Sequence, residues 1–177
     1  MKGKLGIVYE RHNHALRYDY TLIQDWVVWV PTKGVSNDLQ IPGPFENKWF
    51  KVERQDRLRG GIWTEGLLFT VRAGYAWDGA TAVPDRGAVE GSCIHDSFYQ
   101  FAMAIAALWD WSVARVLDLA DWCFRAVMQM ANSSVAGLYY AGVRLIGTAF
   151  WYVAHWREWL AGKKITDGQA TTVPPAA

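Results

Sequence analysis

Apolar and polar positions change rhythm once along this chain, near Pro84, and the change separates two halves of different kind. From Tyr18 to Val30 the run YDYTLIQDWVVWV is dense in β-branched and aromatic side chains and too short to cross a bilayer, which predicts a strand with a buried end. The stretch PTKGVSNDLQIPGPFENK that follows holds three prolines and two glycines among turn-forming polar residues, so residues 31–48 are expected to form a long surface loop. WFKVE at 49–53 and GIWTEGLLFTVRAG at 61–74 predict further strands on either side of a charged turn.

Beyond Pro84 the apolar spacing becomes helical. Residues 88–108 predict a first helix, with Gly91 the point at which it would break. Residues 112–131 predict a second, in which Val113, Val116, Leu117, Ala120, Phe124 and Val127 step at three and four. A third is expected over 134–160, with Asn132 and Ser133 as caps. Strands first and helices second imply an α+β domain: a small antiparallel sheet from the N-terminal half packed against about three C-terminal helices. One such domain is expected over 1–163, followed by a flexible tail over 164–177 that contains ITDGQATTVPPAA and has little to bury.

Within the third helix, Arg144 is the only charged residue between Val135 and Trp156, a length that reaches across a bilayer. An arginine at mid-span would cost about 2.5 to 3.5 kcal/mol on insertion scales, and Gly137, Gly142 and Gly147 dilute the apolarity. The segment 135–156 therefore reads as a buried helix of a globular domain rather than a membrane span.

Composition narrows the functional classes. A length of 177 residues suffices for a core without disulfide or metal staples, and a formal charge of +1 offers no broad attraction for a polyanion, so nucleic-acid binding is not expected. Cys93 and Cys123 lie in apolar helical stretches and read as small hydrophobes. The opening MKGKLGIVYERHNH becomes charged too early for a signal peptide, and synthesis and folding in the cytoplasm are expected. Eleven tryptophans suit either a thick core or a contact surface.

The chemistry-bearing residues gather around GYAWDGATAVP at 74–84 and HDSFY at 95–99. Asp78-Gly79 is first a turn signal. It is also a carboxylate on a short, rigid segment just ahead of a helix that carries His95 and Asp96. His95 and Tyr99 share a helix face, as do Asp118 with Asp121 and Asp121 with Arg125. Three readings stay open. In a structural reading His95 pairs with Asp96, and Asp121 with Arg115 or Arg125, to fix helix packing. A metal reading makes Asp78, His95 and Asp121 the ligands of a divalent ion with room for water. An acid–base reading has His95 poised by a neighbouring carboxylate, with Asp96, Asp78 and Tyr99 as the catalytic surroundings. His12 and His14 read as a solvated pair, and the nucleophile elbow, P-loop and zinc-protease helix motifs are absent.

GYAWDGATAVP, HDSFY, RVLDLADWCFRAVM and LYYAGVRLIGTAFW resemble, in order and rough spacing, a family of phage and prophage proteins catalogued as domain of unknown function 1353. The resemblance covers about residues 66–151. It places Asp78, His95, Asp96, Tyr99, Arg115, Asp121 and Phe124 on the family's polar and aromatic signature, with Arg144 and Gly147 in the last helix. Trp77 stands where that pattern has Thr, Thr81 where it has Ser and Phe98 where it has Leu, and an extra residue precedes Pro84. The family has no settled activity, so the resemblance implies a phage or prophage setting and the place of a site. Two functions are expected on this basis: a metal-assisted or acid–base hydrolase, or a non-enzymatic assembly, tail or host-interaction protein whose partner is a virion or host protein.

Overall fold

The computed structural model describes residues 3–12, 19–32, 39–79, 88–131, 133–147, 149 and 151–153. Antiparallel sheets come from the first half and helices from the second, the expected α+β arrangement.

Among the described residues nine short strands make up the sheets: β1 (Tyr9–Arg11), β2 (Tyr20–Leu22), β3 (Trp26–Pro31), β4 (Phe45–Glu46), β5 (Phe50–Arg54), β6 (Arg57–Arg59), β7 (Ile62–Thr64), β8 (Gly66–Val71) and β9 (Ala76–Trp77). The main sheet has the order β3-β8-β5-β4, a smaller one the order β1-β2-β9, and β6 and β7 form a separate hairpin. The run at 18–30, expected as one strand, is two strands in different sheets. Its break comes at Asp25, whose carboxylate accepts the backbone N–H of Ala73 at 2.8 Å and the Arg72 guanidinium at 3.0 Å. A charged group held in that corner ends one ladder and starts the next. The run at 61–74 also divides, at Glu65 and Gly66. A Cβ on Gly66 would lie 2.3 Å from the Trp29 indole, so only glycine lets β8 pass this ring. In the 31–48 loop the described residues depart from the expectation at Pro31, which ends β3, and at the short β4.

Side chains alternate along the strands as a half-covered sheet requires: Phe50, Val52, Phe69 and Val71 face inward, Lys51 and Thr70 outward. The inward rings meet the first helix, α1 (Val89–Trp109), at Phe98, whose ring is 5.2 Å from that of Phe50 and 6.0 Å from that of Phe69. In the small sheet Tyr20 and Trp77 stack at 5.3 Å, and the Trp77 indole N–H donates to Ser92 of α1. Tryptophan thus serves the core at Trp26, Trp29, Trp77, Trp109 and Trp151, while Trp63 stands 72% exposed.

α1 does not break at Gly91. The glycine faces the second helix, α2 (Val113–Met130), where a Cβ would come within 3.1 Å of the Phe124 backbone oxygen and within 2.9 Å of Met128. It is a site of close helix approach. α1 ends at Asp110, left-handed at φ 52°, and Ser112 caps α2 by accepting the Arg115 N–H. The third helix is less regular than its periodicity predicts: α3 (Ala136–Gly142) runs into a π-helical turn, Val143–Gly147, and residues 149 and 151–153 beyond it are again helical. Ser133 does not cap it, because Val135 holds the cap position without a side-chain bond and the Ser133 hydroxyl is buried without a partner. Asn132 and the tail at 164–177 lie outside the described residues, as does the end of this helix. No described helix is long and apolar enough to cross a membrane.

Candidate functional site

His95 enters α1 one residue before Asp96 and four before Tyr99, and the close approach of α1 and α2 at Gly91 brings Asp121 across to meet it. Its Nδ1 lies 3.0 Å from Asp96 Oδ1 and its Nε2 lies 3.1 Å from Asp121 Oδ1. The Tyr99 hydroxyl donates to the same Asp121 oxygen at 3.1 Å. Tyr99 also stacks on the imidazole, with ring centres 4.0 Å apart, while Phe124 meets it edge-on at 5.5 Å. Helix spacing supplies the His95–Tyr99 pair, and helix packing supplies Asp121.

The electrostatics follow from that sandwich. Burial opposes the charged imidazolium and would lower the His95 pKa, but hydrogen bonds to Asp121 and Asp96, with the charge of both, outweigh it and raise the value from 6.5 to about 9. His95 is therefore a cation at neutral pH, donating from both nitrogens. Burial raises the Asp96 carboxyl above its ordinary range, against the pull of His95 and of the backbone N–H groups of Asp78 and Gly79. Asp121 is fully buried, and its Oδ2 has no hydrogen-bond partner; the Arg144 guanidinium stands 3.8 Å from it. Arg144 itself is paired with Asp118, one turn before Asp121 on the same helix.

Several expectations are corrected by these contacts. The expected Asp121 partners, Arg115 and Arg125, are engaged elsewhere: Arg115 lies 3.9 Å over the Trp111 ring and Arg125 5.1 Å over that of Tyr140. Arg144 is the arginine beside Asp121, because the π-helical turn swings it over α2. Asp78 reaches the cluster through its backbone, and its side chain is exposed. Among the described residues no three His, Cys, Asp or Glu side chains are placed to hold a metal ion, so Asp78, His95 and Asp121 do not form the expected ligand set. His95 with Asp96 is the pair that the structural reading anticipates.

Compared with protein-family models, with curated proteins and with solved structures, the chain matches none. The reading of the site therefore stands on its own geometry.

Other polar groups near the cluster are committed to the fold. Ser92 bonds to the Val89 carbonyl and Ser97 to that of Cys93, which leaves no Ser-His arrangement. Cys93 and Cys123 are free and buried, and burial pushes both thiols up. His12 sits 2.9 Å from the Thr21 hydroxyl, and His14 lies outside the described residues. A hollow bounded by Leu39, Ile41, Arg54 and Glu65 belongs to the sheet and has no wall in common with the cluster. One buried acid outside the cluster escaped the sequence reading. Glu90, 2% exposed, accepts the backbone N–H groups of Lys4 and Leu5, and its only sequence signal was an acid in the first turn of a helix. Gly147 lets Tyr99 approach, since a Cβ there would lie 2.6 Å from the hydroxyl.

Proposed function

We propose that this chain is a phage-encoded, non-enzymatic protein of virion assembly or host interaction, in which Asp96, His95 and Asp121 fix how α1 and α2 meet. The phage setting rests on the resemblance over 66–151. The non-catalytic part rests on one observation: both nitrogens of His95 face carboxylates of the protein's own fold. A metal ligand or a general base needs a nitrogen lone pair, and an imidazolium held in this way has none. A buried ion network contributes less to net stability than to choosing one packing arrangement over its neighbours, which is the role assigned to it here. Exposed Trp63, Ile62 and Leu58 supply the kind of surface that an interaction protein uses.

Calorimetric titration of the full chain with magnesium, manganese and zinc ions tests this reading, alongside nitrogen NMR of the imidazole. The expected result is no stoichiometric binding and a doubly protonated ring at neutral pH. Stoichiometric binding that His95→Ala abolishes would overturn this reading and establish a metal site at His95.

One observation favours the metal-free acid–base alternative. Asp121 Oδ2 is buried without a hydrogen-bond partner, an acceptor that a water or a substrate hydroxyl would satisfy. Turnover of ester or phosphoester substrates that disappears in Asp121→Asn, with the fold retained, is the result that would bring it forward.

A further inference from the structure

The ladder between β5 and β8 ends with Arg54 opposite Leu67, and pairing resumes beyond it with Arg57 opposite Thr64, Leu58 opposite Trp63 and Arg59 opposite Ile62. Gly60 and Gly61, at φ +56° and +80°, close the two-residue turn that a tight hairpin requires. The result is a finger that prolongs the main sheet. Cross-strand partners lie on one side of a ribbon, so Leu58 and Trp63 share a face, while Arg57 and Arg59 lie with Ile62 on the other. Leu58, Ile62 and Trp63 are 58%, 71% and 72% exposed. A two-stranded ribbon has no core of its own. This one is tied back by Trp29, whose ring centre lies 5.3 Å from the Arg57 guanidinium and 5.1 Å from that of Arg59.

Charge is balanced at the base of the finger and not at its tip. Arg54 meets Glu65 at 2.6 Å and Asp56 at 3.7 Å. Residues 57–64 carry two arginines and no acid, and the side-chain hydrogen bonds of Arg57 go to the neutral amide of Gln55. Two guanidiniums are thus held side by side, without a carboxylate, next to three exposed apolar side chains.

We propose that this finger docks peripherally on an anionic phospholipid bilayer, with Leu58, Ile62 and Trp63 entering the boundary between headgroups and acyl chains and Arg57 and Arg59 facing lipid phosphates. Unmatched arginines select a negatively charged partner and bind phosphate oxygens well. Aliphatic Leu58 and Ile62 find nothing to stack on in a nucleic acid, whereas an acyl boundary takes them, and tryptophan favours that interface. A projecting tip also suits a partner that yields around it. The contact is superficial, consistent with the absence of a membrane-length helix among the described residues. This inference rests on the host-interaction reading above and names its partner.

Co-sedimentation of the full chain with vesicles of phosphatidylcholine, alone or mixed with phosphatidylglycerol, tests the proposal. Binding is expected only to the mixed vesicles, released by salt and not by glycerol phosphate. Arg57→Gln with Arg59→Gln is expected to weaken it by about tenfold or more, at roughly 1 kcal/mol per basic residue near an anionic surface. Leu58→Ser with Trp63→Ser is expected to abolish it, and circular-dichroism spectra at the binding temperature should show both variants folded. Equal binding to neutral vesicles, no binding, or binding unchanged in both variants overturns the proposal. So does a finger that instead captures DNA in a gel shift or a second copy in light scattering. Failure here leaves the His95 reading intact, because metal titration reports on a different place in the fold.

Discussion

His95 on α1 and Asp121 on α2 face each other at 3.1 Å, a buried charge pair that spans two long helices and comes from positions 26 residues apart. Asp96, on the far side of the imidazole at 3.0 Å, completes a sandwich in which the cation is held from both nitrogens.

That sandwich predicts a stability that falls on the alkaline side. His95 has a folded pKa of about 9 against an ordinary 6.5, so its contribution is fully present below about pH 6.5 and is lost as pH rises through about 9. The loss is on the order of 3 kcal/mol. Asp96, also raised, moves in the same direction but in the acid range around its ordinary 3.8. Urea unfolding across this span should show a midpoint that drops steadily above neutrality, with a flatter profile for His95→Gln. A midpoint that holds or climbs between neutral and alkaline pH would refute the charged sandwich.

Removing one partner should cost more than the pair is worth. Asp121→Asn leaves the His95 cation and Arg144 facing a neutral amide in a buried place, a change that typically costs about 3 to 5 kcal/mol. For a domain of this size that corresponds to a fall of about 6 to 20 °C in Tm. The His95 pKa, followed by NMR, should fall as well. A Tm within a degree or two of the parent would show that the Asp121 contact carries little of the stability.

Tyr99 and Gly147 should behave as a coupled pair. A methyl group at position 147 would meet the Tyr99 hydroxyl at 2.6 Å but the ring carbon behind it only at 3.4 Å. Gly147→Ala should therefore push the hydroxyl off Asp121 and lose about 1.5 to 3 kcal/mol, the usual range for a hydrogen bond to a charged group. In a Tyr99→Phe background the same substitution should cost much less. Additive losses in this double-mutant cycle would show that the two do not touch.

Gly91→Ala tests whether close helix approach brings the charges together. The added carbon would press on Phe124 and on its backbone oxygen, which cannot rotate away. Overpacking of this kind costs about 1 to 3 kcal/mol. The alkaline loss of stability should also shrink, because parting the helices lengthens the His95–Asp121 contact. An alkaline profile identical to the parent's would detach that contact from the glycine.

By itself the amino-acid sequence determined the elements and some of the neighbours. β-branched and aromatic runs marked the strands, steps of three and four marked α1 and α2, and helical spacing put His95 and Tyr99 on one face, because these depend on residues within a turn or a pleat of one another. Adjacency gave His95 and Asp96. Tertiary structure alone decided the rest. Which arginine stands beside Asp121 turned on the path of α3, where the backbone widens into a π-helical turn and delivers Arg144 in place of Arg115 or Arg125. That Asp78 would contribute its backbone, and leave its carboxylate outside, depended on how β9 docks against α1. Spacing along a chain tells which groups share a face, but burial and competing partners decide whether a histidine keeps a lone pair for chemistry. Here two carboxylates from the protein's own helices take both of its nitrogens, and only the packed fold brings the second of them within reach.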